Sequence, residues 1–476
     1  MAKEPEQIFQ PFTARHLEAL RKLVGADRVL ADDDANGAEA LETYSHDFTE
    51  DLRFKPSVAV LARSAEEVSK VLAFATRERI PVTPRGAGTG LSGAALPVRG
   101  GIVLSLGKMN RILEIDTDNL MAVVEPGVIT EVLQNAVAEK GLFYPPDPAS
   151  RGSCMLGGNL SHCAGGPRAV KYGVTKDYVY GVEAVLPTGE IVRHGGKLLK
   201  NSTGYNLTQL LIGSEGTLAV ITKIFLKLIP MPTRKSLVLA PFDSLEKPAA
   251  AVAALFQAGL TPSACEYMER EALEAGCRQT SEPNPFPNAT AMLLLEVDGF
   301  SDAEIDRQLE TLSTVLERFG AADMALADSP ERAERLWRIR RSIGEAVKTR
   351  AVYKEEDTVV PRFVLPELLK RVKSICAEYG VASVCYGHAG DGNLHVNLLK
   401  ENLSDDAWNS ELPKCITRIF EAVRDLGGTV SGEHGVGYVQ RRYLPIVYGP
   451  AELALMRAIK RAFDPAGILN PDKTLP

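Results

Sequence analysis

Short apolar runs alternate with amphipathic stretches through the first half of the chain. Ser57–Ala62 reads as a strand, and Ser64-Ala-Glu-Glu67 is a capping box that opens a helix to about Arg79. Pro81–Pro84 reads as the next short strand and runs straight into a glycine-rich segment. Further strands are expected at 102–106, 121–124, 179–186, 190–193 and 217–228, with short helices near 129–140 and 203–211. Ahead of this β-α-β pattern, His16–Val24 has one apolar face and predicts a helix, followed by an acidic loop at 31–34.

Pro230-Met-Pro232 breaks the pattern, and its texture then changes. Strands are expected at 236–242 and 291–297, and long amphipathic helices near 244–258, 301–319, 329–350 and 407–426. Residues 381–387 and 394–399 read as two strands flanking a turn at His388. This order predicts an α+β unit, a sheet with helices packed on one face. The expected divisions are an N-terminal helical segment (1–53), a ligand-binding domain (54–233), a second domain (234–430) and a C-terminal segment (431–476) with a helical tail. No internal repeat or low-complexity segment is visible.

At 476 residues, 45% hydrophobic and 24% charged, the chain has the profile of a globular protein of two or three domains. Its net charge of −7 argues against nucleic acid but says nothing against a small anionic substrate. The start shows no apolar leader region, and no run approaches the ~20 apolar residues of a membrane span. Seven dispersed cysteines without a Cys-x-x-Cys pair suggest reduced thiols in the cytoplasm and no iron–sulfur cluster. Cys163 and Cys385 read as small packing residues.

Two features carry candidate chemistry. Pro84-Arg85-Gly86-Ala87-Gly88-Thr89-Gly90-Leu-Ser92-Gly93 follows a strand, and its amides can cradle an anion. It is neither a P-loop nor a Rossmann fingerprint. Two more glycine clusters, Gly157-Gly158-Asn159 to Gly165-Gly166 and Gly213-Ser-Glu215-Gly216, imply a large ligand with several polar parts. The second feature is histidine. Of seven in the chain, His388, His395 and His434 fall within one glycine-rich stretch that also holds Glu433. One such histidine alone reads as a turn residue. Two with a glutamate form a ligand set for a catalytic divalent metal, which leaves His434 available as a base.

Arg85-Gly-Ala-Gly-Thr-Gly, Gly157–Gly166 with Lys171-Tyr-Gly173, and Gly213-Ser-Glu-Gly-Thr217 resemble the FAD-binding domain of the vanillyl-alcohol-oxidase/p-cresol-methylhydroxylase flavoproteins. Leu336–Arg340, Lys354–Pro361, His388–His395 and Gly432–Gly437 resemble that superfamily's D-2-hydroxyacid dehydrogenase branch. The resemblance implies an FAD-binding domain of two α/β subdomains, an α+β cap with an antiparallel sheet covered by helices, and a tail returning to the flavin. It implies non-covalent FAD, since no histidine lies in the 84–93 loop and Cys154 and His162 are the nearest alternatives. The residues implied at the flavin, beyond the 84–93 loop, are Pro126, Gly127, Pro148, Gly157, Gly158, Asn159, Cys163, Gly165, Gly166, Tyr172, Gly173, Glu215, Gly216, Ile221 and Asn470.

It further implies that His388, His395 and Glu433 bind zinc, or manganese or iron, and that His434 is the base. Arg340 and Lys354 would grip a substrate carboxylate, with Asn397 nearby. The implied reaction is oxidation of D-lactate, glycolate or a similar acid to the 2-oxoacid, with hydride transfer to flavin N5. An alcohol or phenol oxidase, or a flavoprotein subunit inactive alone, are the competing readings. An electron-transfer flavoprotein, a cytochrome or a quinone-linked partner at the membrane would accept the electrons, and a homodimer is one expected assembly. Gly344 departs from the hydroxyl residue of the hydroxyglutarate enzymes and leans towards a smaller acid. Against these readings, Arg340 lies in a charged helix where surface arginine is the default, Asp391 and Asn393 suit the turn, Trp337 suits the core, and Lys473 suits solvent.

Overall fold

The computed structural model describes residues 9–33, 35–50 and 52–476, so Asp34 of the acidic loop lies outside the described residues. Strands Val58–Leu61 and Val82–Arg85 both run parallel to Ile102–Ser105, which lies between them, and Val29–Ala31 pairs antiparallel at the edge. Helix Ala65–Glu78 makes the crossover and buries Val68, Val71, Leu72 and Ala75 against Val58, Val60, Ile102 and Leu104. Half of the expected capping box forms. Ser64 Oγ accepts the Glu67 amide, but the Glu67 carboxylate takes the Arg63 amide and pairs with Arg28.

A second sheet is antiparallel, in the order 112–116, 121–124, 220–227, 179–185, 191–195. Its first strand, Ile112–Asp116, was not expected; none of its five positions is buried and a bulge interrupts its pairing. A third, seven-stranded antiparallel sheet runs in the order 325–326, 234–242, 291–299, 264–269, 382–387, 393–399, 353–359.

Helices cover both faces of this last sheet, not one as expected. Glu246–Gln257, Asp302–Arg318, Leu365–Glu378 and Asp405–Asp425 bury one face, and Arg270–Thr280 with Pro330–Lys348 the other. The cause is in the interior strand Ala291–Gly299, which is buried at every position and therefore needs a cover on both sides. Strand Tyr353–Val359 was also unexpected. Its Lys-Glu-Glu-Asp core reads as a polar loop until each charge finds a partner inside the fold.

The tail runs through helix Pro450–Phe463 and returns to the first sheet, where Leu469 bridges Val82 and packs in its core. Lys473, expected in solvent, is buried, and its ammonium donates to the Leu96 carbonyl and Asn470 Oδ1. Trp337 is buried as expected, with its indole N–H on Glu296.

Candidate active site

A cavity of about 600 Å³ lies where the three sheets meet. One wall is the first half of the chain: Pro84, Arg85, Gly86, Ala87, Gly88, Thr89, Gly90, Pro126, Pro148, Gly157, Gly158, Asn159, Glu215, Gly216 and Ile221. Arg340, His388, His395, Glu433 and His434 line the opposite wall, with Arg341, Gly344, Lys348, Glu355 and Tyr386 beside them.

The amides of residues 87–91 donate to no group among the described residues. Gly88 has φ +76°, and a Cβ there would stand 2.2 Å from Arg85 Nη2. The Arg85 guanidinium donates to the carbonyls of Thr43 and His46, so its charge is spent on the fold. The first part of the second glycine cluster lies in a helix, Leu156–His162, and Gly165 and Gly166 follow beyond its end. Gly157 lets it touch Pro126, where a Cβ would come within 2.6 Å, and the space over Gly158 is open.

Nine residues expected at the flavin do not line the cavity. The Ser92 carbonyl accepts the Tyr438 amide, and Gly93 donates to Thr49. Gly127 packs on the Met109 carbonyl, Gly165 beside Glu433 and Gly166 on the Asp147 carbonyl. Cys163 and Gly173 end helices, and the Tyr172 hydroxyl donates to Asp298. Asn470 donates to the carbonyls of Ala94 and Glu215. Each shapes the loops from behind, which is why a motif of contiguous glycines overstates direct contact.

His388 follows the first strand of the hairpin and His395 lies on the second, and the intervening turn is drawn in by the Asp391 carboxylate on the Asn393 amide. His388 Nδ1 lies 2.8 Å from Glu266 Oε1, and its Nε2 lies 3.0 Å from Glu433 Oε1. His395 Nε2 is 3.7 Å from the same Glu433 oxygen. One ligand atom from each of His388, His395 and Glu433 lies within 4.8 Å of the others. The His434 ring stacks on His395, centroids 5.0 Å apart at 10°. Burial opposes charge on His388, yet Glu266 and Glu433 hold its pKa well above the usual histidine range. Burial, with His434 close by, pulls His395 down to about 4.

The loop bearing Glu433 and His434 is held at two points. Asp357 Oδ2 accepts the Ser431 hydroxyl and the amides of Gly432, Glu433 and His434, all at 2.8 Å. From the other half of the chain, the Glu215 carboxylate accepts the amides of Val436 and Gly437, both at 2.6 Å. Neither carboxylate was singled out for this task from sequence.

The substrate-gripping residues divide. Arg340 is buried, contrary to the surface default: Nη2 pairs with Glu266 at 2.5 Å, the guanidinium sits over Tyr386, and Nε has no hydrogen-bond partner among the described residues. Lys354 is a correction. Along its strand the side chains alternate, so Lys354 and Glu356 face away, towards Glu50 and Gln440, while Glu355 and Asp357 face the histidines. Lys348, one of the cavity-lining residues, pairs with Glu355 at 2.8 Å. Asn397 lies one pleat beyond His395, wholly buried and off the cavity lining, with neither side-chain amide atom hydrogen-bonded among the described residues.

A divalent ion suits this donor set. Glu266 on Nδ1 fixes the His388 ring and leaves Nε2 for a ligand bond, the carboxylate–histidine arrangement of metal sites. A flavin suits the other wall, where the amides of 87–91, unpaired among the described residues, meet a largely apolar cavity.

Two family models match in order, an FAD binding domain over residues 56–195 and the C-terminal domain of FAD linked oxidases over 231–474. The glycolate oxidase subunit GlcD of Bacillus subtilis (strain 168) is 38% identical over 93% of each chain. A D-lactate dehydrogenase of Anaerostipes hadrus is 38% identical over 98% of each, and a D-2-hydroxyglutarate dehydrogenase of Stutzerimonas stutzeri (strain A1501) is 35% identical over 96% of this chain and 98% of that one. A solved p-cresol methylhydroxylase with substrate bound, 20% identical, superposes with a TM-score of 0.78 over 96% of both chains, which shows the fold. With the Pro84–Asn159 part of the glycine-loop wall inside one match and the histidine wall inside the other, the chain belongs to the FAD-linked oxidases.

Proposed function

We propose that this protein oxidises a D-2-hydroxyacid to its 2-oxoacid, using FAD and a divalent metal held by His388, His395 and Glu433. The observation that carries the reading is the convergence of those three ligand atoms within 4.8 Å, beside a buried arginine and opposite the glycine loops. When bound, the flavin supplies a two-electron acceptor and the metal a Lewis acid for the substrate hydroxyl. Arg340, with Nε unpartnered, binds the carboxylate and orients the α-carbon. His434, stacked on a proposed ligand, takes the hydroxyl proton. Glu266 neutralises Arg340 and orients His388 with the same carboxylate.

The GlcD relatives are named as subunits, which supports a role as the flavoprotein of an assembly that passes electrons to a further acceptor. No helix among the described residues is long and apolar enough to cross a membrane.

The test is anaerobic mixing of the purified holoprotein with D- and L-2-hydroxyacids while flavin absorbance is followed. Bleaching by D-acids alone, lost on chelation with flavin retained, is the expected result. Bleaching by a phenol or simple alcohol and by no hydroxyacid would replace this reading with the oxidase one.

A further inference from the structure

Beside Arg340, the histidine wall carries a second charge pair. Lys348 Nζ lies 2.8 Å from Glu355 Oε2, and the Tyr386 hydroxyl donates to Glu355 Oε1 at 3.2 Å. Lys348, Glu355 and Tyr386 all line the cavity, and the pair is mostly buried, with side-chain exposures of 20% and 9%. We propose that the Lys348–Glu355 pair restricts the site to 2-hydroxyacids with one carboxylate. This rests on the 2-hydroxyacid reading above and deepens it.

The reasoning is a charge inventory. A carboxylate leaving water needs a cation with donors to spare. Four arginines and lysines line the cavity, and three are already committed: Arg85 to the Thr43 and His46 carbonyls, Lys348 to Glu355, and Arg341 to Glu334 at 3.3 Å. Arg340 shares its charge with Glu266 but keeps Nε unpartnered, enough for one substrate carboxylate. A second carboxylate would meet Glu355, and also Glu345, which lines the same wall. An uncharged tail meets neither penalty. Gly344 gives it room, since a Cβ there would touch only the Tyr386 hydroxyl, at 3.2 Å.

The experiment compares flavin reduction by D-lactate and D-2-hydroxybutyrate with that by D-malate and D-2-hydroxyglutarate in wild type, Glu355→Gln and Lys348→Met. Wild type should favour the monocarboxylates by about 100-fold in kcat/KM, the scale of a like-charge clash in a desolvated site. Glu355→Gln keeps a partner for Tyr386 and frees Lys348. It should raise the dicarboxylate-to-monocarboxylate ratio about tenfold or more, chiefly through KM, and Lys348→Met added to it should cancel the gain. Equal use of both classes by wild type, or an equal loss for both in Glu355→Gln, overturns the proposal. Binding of pyruvate and 2-oxoglutarate, read from flavin absorbance, needs no turnover and separates two failures. If wild type oxidises no hydroxyacid, the functional reading falls, while preferential pyruvate binding that Glu355→Gln reverses still upholds the pair. If Glu355→Gln does not fold, Lys348→Met alone decides: better dicarboxylate binding than wild type overturns the pair, and weaker binding supports it.

Discussion

Asp357 Oδ2 accepts the backbone amide of His434 at 2.8 Å, and the same oxygen takes the two preceding amides and the Ser431 hydroxyl. The other carboxylate oxygen accepts the Asn393 side-chain amide from the histidine hairpin. One buried carboxylate thus ties the Glu433–His434 loop to the strand that carries His395. Asp357→Asn loses the charge while keeping the shape. Metal affinity should fall about 10–100-fold, the usual cost of losing a group that orients ligands, while bound FAD is unchanged. Metal titration of the stripped protein measures this, and wild-type affinity in the variant would rule the role out.

Arg340→Met should lower kcat/KM for hydroxyacid substrates by about 2–5 kcal/mol, the cost of truncating a charge-assisted partner in a desolvated site. The same variant leaves Glu266 paired with His388 among the described residues. Metal content therefore has to be measured alongside the kinetics. Unchanged kcat/KM would return Arg340 to a packing role over Tyr386.

His434→Ala should keep FAD and metal and slow flavin reduction by about 10²–10⁴-fold, the scale of general-base loss. Reoxidation by an artificial acceptor should stay near normal. Loss of metal from the variant would make His434 a ligand, an arrangement that the close grouping of Glu355, His395 and His434 would accommodate.

The sequence announced the histidine hairpin and the glycine loop because both are contiguous, and turn chemistry with scarce histidine makes them conspicuous. Glu266 carried no such signal. It lies some 120 residues before His388 on a strand that is buried throughout, and its one mark is a carboxylate in the middle of Ala264–Glu269. Lys354 was misplaced for a different reason. Lys354-Glu-Glu-Asp357 has charge at both parities of a strand, so alternation alone does not say which pair turns inward. The packing decides, and it sends Glu355 and Asp357 to the histidines.

Glu356, on the outward parity, gives a pH test. Burial, with Glu50 nearby and only partly offset by Lys354 and Gln440, pushes its pKa up to about 7. A carboxyl whose pKa is higher in the fold than the ordinary 4.5 stabilises the fold at low pH, and that contribution is lost as pH rises from 4.5 through about 7. Glu356→Gln should therefore gain melting temperature over wild type as pH rises from 5 to 8. A constant difference across that range would show that Glu356 titrates normally.

The Glu215 carboxylate reaches from the glycine-loop wall to the Val436 and Gly437 amides, three and four residues past the proposed metal ligand Glu433. The seam between the two halves of the chain therefore does not follow the proline break near 230. Grafting the second half of a relative onto this chain would join foreign hairpin histidines to a loop gripped by a native glutamate. A working chimera has to exchange the 213–217 turn together with the 431–437 loop, so the heritable module here is an interface, not a domain.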